Sequence, residues 1–233
     1  MLVYGRNVAE EFLKKPEKVR RIILQAGFHD ENLLFTIGKL KIQVETMEKF
    51  QLDRLAKGVH QGIMLEVEDY KYCSLTDLIT NDDDQFLVIL DHLEDPHNLG
   101  AIIRTCEAAG VKGIIIPKDR GVTVNSTVMK TSAGAIENIK IALVINLNIT
   151  IQELKKQGFW IVGADMNGQN YREINYSGKT AIVIGNEGEG ISRLVRESCD
   201  FIASIPMYGK VNSLNASVAA GVMIYEVLRQ KNR

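Results

Sequence analysis

The chain has 233 residues, of which 45% are hydrophobic and 24% are charged, which is enough apolar material for one large core or two modest ones. No apolar run approaches the roughly 20 residues of a membrane helix, and the first 15 residues contain no apolar stretch typical of a secretion signal, so we expect neither a membrane protein nor a secreted one. The net charge of −1 is unlike that of proteins that coat duplex phosphates, so any nucleic-acid binding must come from local patches.

Residues 1–70 predict a small α/β domain. Val8, Phe12 and Leu13 indicate an amphipathic helix, and further helices are expected at Glu31–Leu40 and Glu48–Ala56. The expected strands are 21–25, 41–45 and 62–68. The segment KKPEKVRR at 14–21 is the best local candidate for contact with nucleic acid, although an ordinary solvated surface explains its charge equally simply.

Residues 71–85 are expected to form a linker. Between positions 70 and 85 there are four acidic residues and one basic residue, and the run Asn81–Asp84 has no apolar pattern. Charge repulsion favours an extended chain there, with one helical turn near Leu75–Ile79.

Residues 86–233 predict a larger α/β domain. Near-continuous apolar runs at 86–91, 113–117, 139–143, 159–165, 180–185 and 201–206 are typical of strands covered on both faces. Such runs predict a mostly parallel sheet with helices on either side. Ligand sites in these sheets lie beyond the carboxyl ends of the strands, so the loops after the strands are the places to search.

The first such loop is DPHNLGAIIRTCEAAG, at 95–110. Asn98 is a plausible N-cap for a helix at Leu99–Ala109, and Arg104 lies away from the apolar stripe of that helix. A guanidinium in that position is suited to grip a phosphate, or it makes an ordinary surface ion pair. His92, Glu94, Asp95 and His97 resemble a metal site in composition but lack metal-ligand spacing, so we expect no metal.

The second loop is GNEGEG, at 185–190, after an apolar strand. Glycines allow backbone amides to approach a ligand closely, while two carboxylates disfavour a pyrophosphate. A cationic ligand with an adenosine body therefore fits better than a dinucleotide. A phosphate-binding loop around Gly178-Lys179-Thr180 is excluded because position 173 is Glu and not the required Gly.

The third loop leads from Ile205-Pro206 into a helix on which Leu214, Val218, Val222 and Tyr225 form a stripe. Gly221 with the alanines at 216, 219 and 220 indicates close packing against another backbone. Taken alone, Asn212, Ser213 and Asn215 fit helix capping better than catalysis.

Taken together and in this order, the three segments resemble the ordered motifs of the SpoU RNA 2'-O-ribose methyltransferases, and this resemblance spans residues 86–233. The N-terminal region, 1–68, which ends in GVHQGI, resembles the substrate-binding domain of that family. The resemblance implies a small L30e-like domain followed by a trefoil-knotted α/β catalytic domain, with S-adenosyl-L-methionine as cofactor. It also implies a homodimer with active sites at the subunit interface. The three separated cysteines, Cys73, Cys106 and Cys199, indicate a reducing cytoplasm.

The same resemblance implies the roles of individual residues. Gly185, Ile205 and Leu214 match the cofactor-binding positions, and the polar active-site positions of the family are matched by Asn98, Arg104, Glu187, Ser213 and Asn215. The family proposal makes the arginine a general base. Because a guanidinium keeps its proton in proteins, we instead expect Arg104 to grip the phosphate beside the target ribose.

The resemblance is strongest to the enzymes that methylate a guanosine 2'-hydroxyl in 23S ribosomal RNA, because a separate N-terminal domain is present. The transfer-RNA guanosine 2'-O-methyltransferases share all three motifs and remain an alternative. A ribosome-binding factor without catalysis is a second alternative, since a domain can keep its fold without its chemistry. A nucleotide-dependent oxidoreductase lacks support because the dinucleotide fingerprint is absent.

Overall fold

A computed structural model describes residues 1–56, 58–211 and 213–231. The strands are β1 (Leu2–Tyr4), β2 (Val19–Gln25), β3 (Gln43–Met47), β4 (Ile63–Val67), β5 (Phe86–Asp91), β6 (Gly113–Pro117), β7 (Lys140–Val144), β8 (Trp160–Asn170), β9 (Thr180–Gly185) and β10 (Phe201–Ser204). The helices are α1 (Arg6–Leu13), α2 (Glu31–Gly38), α3 (Lys49–Leu55), α4 (Pro96–Ala108), α5 (Ser126–Thr131), α6 (Leu147–Lys156), α7 (Arg193–Ser198) and α8 (Ala216–Lys231).

These elements form two compact units. Unit 1 comprises Met1–Lys71 together with Val124–Gly134, and unit 2 comprises Tyr72–Thr123 together with Ala135–Arg233. The segment with α5 therefore packs within unit 1, against β1 and α1, although it lies inside the region expected to be catalytic. No helix in the described ranges is long and apolar enough to cross a membrane.

Unit 1 is a four-stranded sheet with the order β1-β4-β2-β3, in which only β2 and β3 are parallel. Because side chains alternate along a strand, Ile22 and Ile23 point to opposite faces. Ile23 packs with Leu52 of α3 and with Met64. Ile22 is fully buried on the other face, the side of α1 and α2. Among the described residues, β3 is the outermost strand at its edge of the sheet.

Unit 2 contains a six-stranded sheet in the order β10-β8-β9-β5-β6-β7, and all of its strand pairs are parallel. Every residue of β5, β6 and β9 is buried, which explains their uninterrupted apolar sequences. Helices α6 and α7 contribute to the core on one side of the sheet. Helices α4 and α8 pack against each other. The expected fold class is confirmed: a small N-terminal α/β unit is followed along the chain by an α/β unit with a mostly parallel sheet. The trefoil knot stays a prediction.

The apolar stripe predicted on helix α8 is not the face that the helix buries. The predicted apolar stripe is exposed at Val218 (52%) and Tyr225 (53%). The side chains that it buries are those of Ala216, Ala220, Met223, Ile224, Glu226 and Val227. Its small residues at 216 and 220 are therefore buried within this chain. Periodicity identified an apolar stripe, but it gave no information on whether that stripe faces the core.

The segment expected to be an extended linker packs in part against the core of unit 2. Leu78 is 2% exposed, and a Cβ built on Gly113 would lie 2.4 Å from its Cδ2 atom. Cys73 forms a parallel bridge with Ala142. Repulsion between the acidic groups is offset because several of them bind partners, as when Asp77 accepts the backbone N–H of Ser74 at 2.8 Å.

Candidate active site

The candidate site lies at the carboxyl edge of the parallel sheet in unit 2. Asp91 ends β5 and Gly185 ends β9, and these two residues are register partners. Ile205 follows the end of β10, on the same edge and with only β8 between β10 and β9. The topology therefore brings the loops that follow three strands to the edge where ligands bind in sheets of this kind.

A glycine is required at position 185 because two backbone segments approach each other too closely there for a side chain to fit. A Cβ at this position would lie 2.1 Å from the carbonyl carbon of Gly190 and 2.3 Å from the nitrogen of Ile191. Asn186 and Gly190 exchange two backbone hydrogen bonds of 3.1 Å. The Asn186 side-chain oxygen accepts the N–H groups of Gly188 and Glu189, at 2.7 and 3.0 Å. The loop is thus a closed turn built from backbone groups.

Helix α4 begins three residues earlier than the sequence predicts. Its N-cap is Asp95, whose carboxylate accepts the backbone N–H of His97 at 2.9 Å, and Pro96 occupies the first turn. This pairing is favourable because proline lacks the N–H that a first-turn residue leaves unbonded. The expected N-cap role of Asn98 is therefore wrong, and its side chain is available for another contact.

Two of the predicted catalytic residues are in direct contact. The buried side-chain amide of Asn98, 6% exposed, donates from Nδ2 to Glu187 Oε1 at 2.5 Å. The two residues are 89 positions apart, and one belongs to the first motif and the other to the second. An amide that donates to an ionised carboxylate makes one of the stronger kinds of hydrogen bond, so this contact fixes α4 to the glycine-rich turn.

Arg104 is exposed on α4, away from the buried Ile102 and Cys106. Within the described ranges its guanidinium makes no hydrogen bond or ion pair. The surface ion pair considered from sequence is therefore not formed there. A planar cation with its donors free is suited to bind a phosphate in two-point geometry.

The third motif is placed less completely. Ile205 and Leu214 are half-buried, and Ser213 and Asn215 are exposed. The Asn215 side-chain oxygen accepts the backbone N–H groups of Ser217 and Val218 at 2.9 and 3.3 Å, so it caps α8. Asn212 lies outside the described residues. In the described ranges, Asn98 and Glu187 are the only two of the predicted catalytic residues joined by a hydrogen bond.

Asp91 is a residue of this edge that sequence reasoning missed. Its carboxylate is 1% exposed, accepts the backbone N–H of Ser192 at 2.6 Å and contacts His92 Nδ1 at 2.5 Å. The sequence signal was a charged residue that ends a buried apolar strand. Within the described residues, no group of three or more His, Cys, Asp or Glu side chains is arranged to hold a metal ion.

The cysteines are unsuited to act as nucleophiles. All three are free thiols. Burial raises the pKa of Cys199 to about 12, and it raises the pKa values of Cys73 and Cys106 as well. Since the thiolate is the reactive form, raised pKa values disfavour these thiols as nucleophiles near neutral pH.

Comparison with known families covers almost the whole chain. Residues 85–225 match the SpoU rRNA Methylase family, and residues 2–73 match the family of RNA 2'-O ribose methyltransferase substrate-binding domains. The two matches follow the order expected from the sequence motifs.

Curated relatives align from end to end. A putative TrmH family tRNA/rRNA methyltransferase of Staphylococcus haemolyticus is 43% identical, with 100% of this chain and 97% of the relative covered. The putative TrmH family tRNA/rRNA methyltransferase YacO of Bacillus subtilis is 42% identical, with 99% and 96% covered.

Solved structures agree with this assignment. The SpoU methyltransferase AviRb from Streptomyces viridochromogenes, in complex with AdoMet, superposes with a TM-score of 0.84 at 24% identity, covering 99% of this chain and 89% of its own. An AdoMet-bound rRNA methyltransferase from Sinorhizobium meliloti gives 0.75 at 26% identity, with 98% and 86% covered. The TrmH/SpoU tRNA modifying enzyme of A. aeolicus gives 0.58 at 33% identity, with 67% and 80% covered. With a family match over residues 85–225 and relatives more than 40% identical along its whole length, this chain belongs to the SpoU methyltransferase family.

Proposed function

We propose that this protein is an S-adenosylmethionine-dependent methyltransferase that modifies the 2'-hydroxyl of a guanosine ribose in 23S ribosomal RNA. The observation that carries the proposal is the hydrogen bond between Asn98 and Glu187, which joins the first two motifs. Arg104 lies on the same helix as Asn98. The family assignment gives the reaction class, and the arrangement of side chains indicates which groups carry it out.

The residues of the carboxyl edge fit the cofactor. The turn at Gly185 leaves no room for a side chain and so presents backbone groups, and Glu187 and Glu189 place exposed carboxylates beside a ligand that carries positive charge. Gly185, Ile205 and Leu214 would hold the cofactor, which supplies a methyl group on a positively charged sulfur. Because that sulfur is an excellent leaving group, the protein has to act mainly on the nucleophile.

The nucleophile is a ribose hydroxyl, which is almost fully protonated at neutral pH. The site must therefore both position it in line and remove its proton, and the proton is lost with assistance at the phosphate that Arg104 holds. Arg104 grips the phosphate beside the target ribose with its planar fork. Asn98 and Ser213 orient the hydroxyl and the phosphate by hydrogen bonds. Since Glu187 already accepts the Asn98 amide, its role is to hold that amide in place and not to serve as the base.

Asn215 acts in a restricted way. Its carbonyl oxygen is engaged in capping α8, where it also accepts the Ser217 hydroxyl at 2.6 Å. Its amide NH2 is therefore the group that would face the RNA. Asn215 thus combines capping and substrate contact, the two interpretations that its sequence position allowed.

The choice of ribosomal RNA over transfer RNA is supported by the extent of the structural matches. The rRNA methyltransferase of Sinorhizobium meliloti aligns with 98% of this chain, whereas the tRNA modifying enzyme of A. aeolicus aligns with 67%. An additional unit matched to the substrate-binding family accompanies the catalytic one. We therefore assign the N-terminal region, residues 1–70, to RNA binding and residues 86–233 to catalysis.

A second copy of the chain is the expected partner of α8. Val218 and Tyr225 lie on the face of α8 that points away from the core, and both are more than half exposed. Gly221 and Val222 lie on the same face and are half-buried. An apolar stripe of this kind is typical of a protein interface. Replacing Tyr225 with Asp should shift the protein from dimer to monomer in sedimentation velocity, and a monomeric parent protein would contradict this part of the proposal.

A cytoplasmic location follows from the proposed RNA substrate.

The proposal is tested by ribose-methylation mapping of total RNA from cells with and without the gene. We expect one guanosine of 23S ribosomal RNA to lose its 2'-O-methyl group in the deletion strain and to regain it on complementation. Loss of a methyl group from a transfer RNA would support the alternative substrate. Unchanged methylation, together with no S-adenosylmethionine binding by calorimetry, would support a ribosome-binding factor without catalysis.

A further inference from the structure

Unit 1 exposes two phenylalanines, and each has a cation over its ring. Phe35 on α2 is 67% exposed, with Lys39 Nζ 3.8 Å from the ring centroid. Phe50 on α3 is 58% exposed, with the guanidinium carbon of Arg54 at 5.7 Å. Exposed aromatic rings paired with lysine or arginine are the groups on which unstacked nucleobases are bound.

Both rings lie on the two helices connected to β3, the edge strand of unit 1. Because α2 and α3 lie on opposite faces of the sheet, the exposed surface of α2, β3 and α3 wraps around this edge, and we call it the β3 side. Helix α2 buries only Leu33 and Ile37, so Phe35 has no role in the core. On β3 itself, Val44 is 44% exposed. The opposite edge of the sheet, at β1, is covered by α5, so the β3 side is the open edge of unit 1.

The acidic groups of the β3 side are mostly engaged within unit 1. Glu45 accepts a hydrogen bond from Arg21 at 2.7 Å, and Asp53 contacts His60 Nε2 at 2.9 Å. Glu48 is part of the capping box of α3. The fourth acidic residue between positions 31 and 55 is Glu31, which lies in the first turn of α2.

The basic groups of the same side are not engaged in this way. The four cations between positions 31 and 55 are Lys39, Lys41, Lys49 and Arg54. None of them forms an ion pair with a carboxylate in the described part of the chain. These four cations are therefore available to contact a phosphate backbone, although the counts of acidic and basic residues are equal.

The basic segment at 14–21, the candidate suggested by sequence, is less available. Lys14 pairs with Glu11 at 2.6 Å. The Arg21 guanidinium lies between Glu45 and Glu66, at 2.7 and 3.0 Å. Two of its cations are thus already bound to carboxylates.

We propose that the β3 side of unit 1 binds an unpaired stretch of the substrate RNA, with one base stacked on Phe35, another on Phe50, and Lys39 and Arg54 beside the adjoining phosphates. This inference rests on the proposed function, since it names the surface by which an RNA methyltransferase would hold its substrate. It predicts a preference for single-stranded RNA over duplex, because stacked and paired bases do not offer their faces to a side chain.

The test uses fluorescence anisotropy with a labelled single-stranded RNA 12-mer of mixed sequence and with the duplex of the same sequence. The variant is Phe35→Ala with Phe50→Ala, in the full chain. Phe201→Ala is the matched control, since Phe201 is an exposed aromatic of unit 2, 38% exposed and paired with Trp160. Because all three rings are exposed, each variant should fold, and circular dichroism checks this.

We expect the double variant to bind the single strand more weakly by roughly five- to 150-fold for each ring that stacks a base, while the Phe201 variant and S-adenosylmethionine binding stay at the parent values. Removing Lys39 and Arg54 should make the slope of log K against log salt concentration less negative by roughly 1.4. Equal affinity of the double variant and the parent protein would overturn the inference, and so would absence of single-strand binding by the parent protein. Failure of the proposed function appears separately, as absence of methyl transfer to any RNA.

Discussion

Replacing Gly185 with Ala should distort the turn that the proposed function assigns to the cofactor. The new Cβ would lie 2.1 Å from the Gly190 carbonyl carbon. Restoring an ordinary contact of about 3.4 Å requires a shift of roughly 1.3 Å in one of two backbone segments. Such a shift disrupts the paired backbone hydrogen bonds between Asn186 and Gly190. Overpacking of this kind costs about 1–3 kcal/mol, which corresponds to a fall in Tm of roughly 2–12 °C for a chain of this size.

The same loop provides the control. A Cβ on Gly188 would meet only the Asn186 side-chain oxygen, at an ordinary 3.5 Å. Thermal unfolding by calorimetry and titration with S-adenosylmethionine should therefore separate the two variants. We expect Gly188→Ala to stay close to the parent protein in Tm, and Gly185→Ala to lose both stability and cofactor affinity. If the two variants unfolded at the same temperature and bound the cofactor equally, the close approach would have no consequence and the reasoning would be refuted.

Three further predictions concern other groups of unit 2. The hydrogen bond from Arg229 lowers the pKa of Glu226. The stabilisation from this bond is therefore present above the ordinary pKa of 4.5 and is lost as pH falls through the lowered value. Glu226→Gln should lower Tm at pH 7, and the difference in Tm from the parent protein should disappear in strong acid. With its pKa raised to about 12, native Cys199 should resist iodoacetamide at pH 8 and react only after unfolding, as mass spectrometry would detect; rapid labelling of the native thiol would contradict this. Asp91→Asn should destabilise the protein by about 1–3 kcal/mol in urea unfolding, because the buried carboxylate accepts from Ser192 and also contacts a neighbouring histidine, and an unchanged midpoint would show that these contacts contribute little.

The strands of unit 2 were predictable because burial on both faces leaves a strong sequence signal. The run 86–91 matches β5 and the run 180–185 matches β9, residue for residue. Strand β1 and helix α5 were not predicted, since three- and six-residue elements provide too little periodicity. That the segment with α5 packs within unit 1 depends on long-range contacts that local patterns do not encode.

Errors at the helices have a common cause. Hydrophobic periodicity places an apolar stripe on α8 but gives no information about what the stripe contacts, so it could not show that Val218 and Tyr225 are exposed. On α4, Asn98 had the composition of an N-cap, yet the Asp95-Pro96 pair takes that role. Local propensity therefore located both helices while misassigning the residues that face other parts of the protein.

The candidate site was predictable as a set of motifs and not as a set of contacts. Asn98 and Glu187 could be singled out by resemblance, but their hydrogen bond follows from the order of parallel strands, which places the loops after β5 and β9 side by side. Asp91 was missed because a carboxylate that terminates a buried strand has no spacing pattern of its own.

The most direct test of the central claim is methyl transfer by the Arg104→Lys variant, measured as incorporation of labelled methyl groups into ribose 2'-oxygens of the RNA that the parent protein modifies. Lysine keeps the positive charge and loses the planar fork. We expect the turnover rate to fall by about 100-fold, as misplacement of a reacting group commonly produces, while the affinity for S-adenosylmethionine stays at the parent value. Transfer at the parent rate would contradict the claim that Arg104 holds the ribose in line.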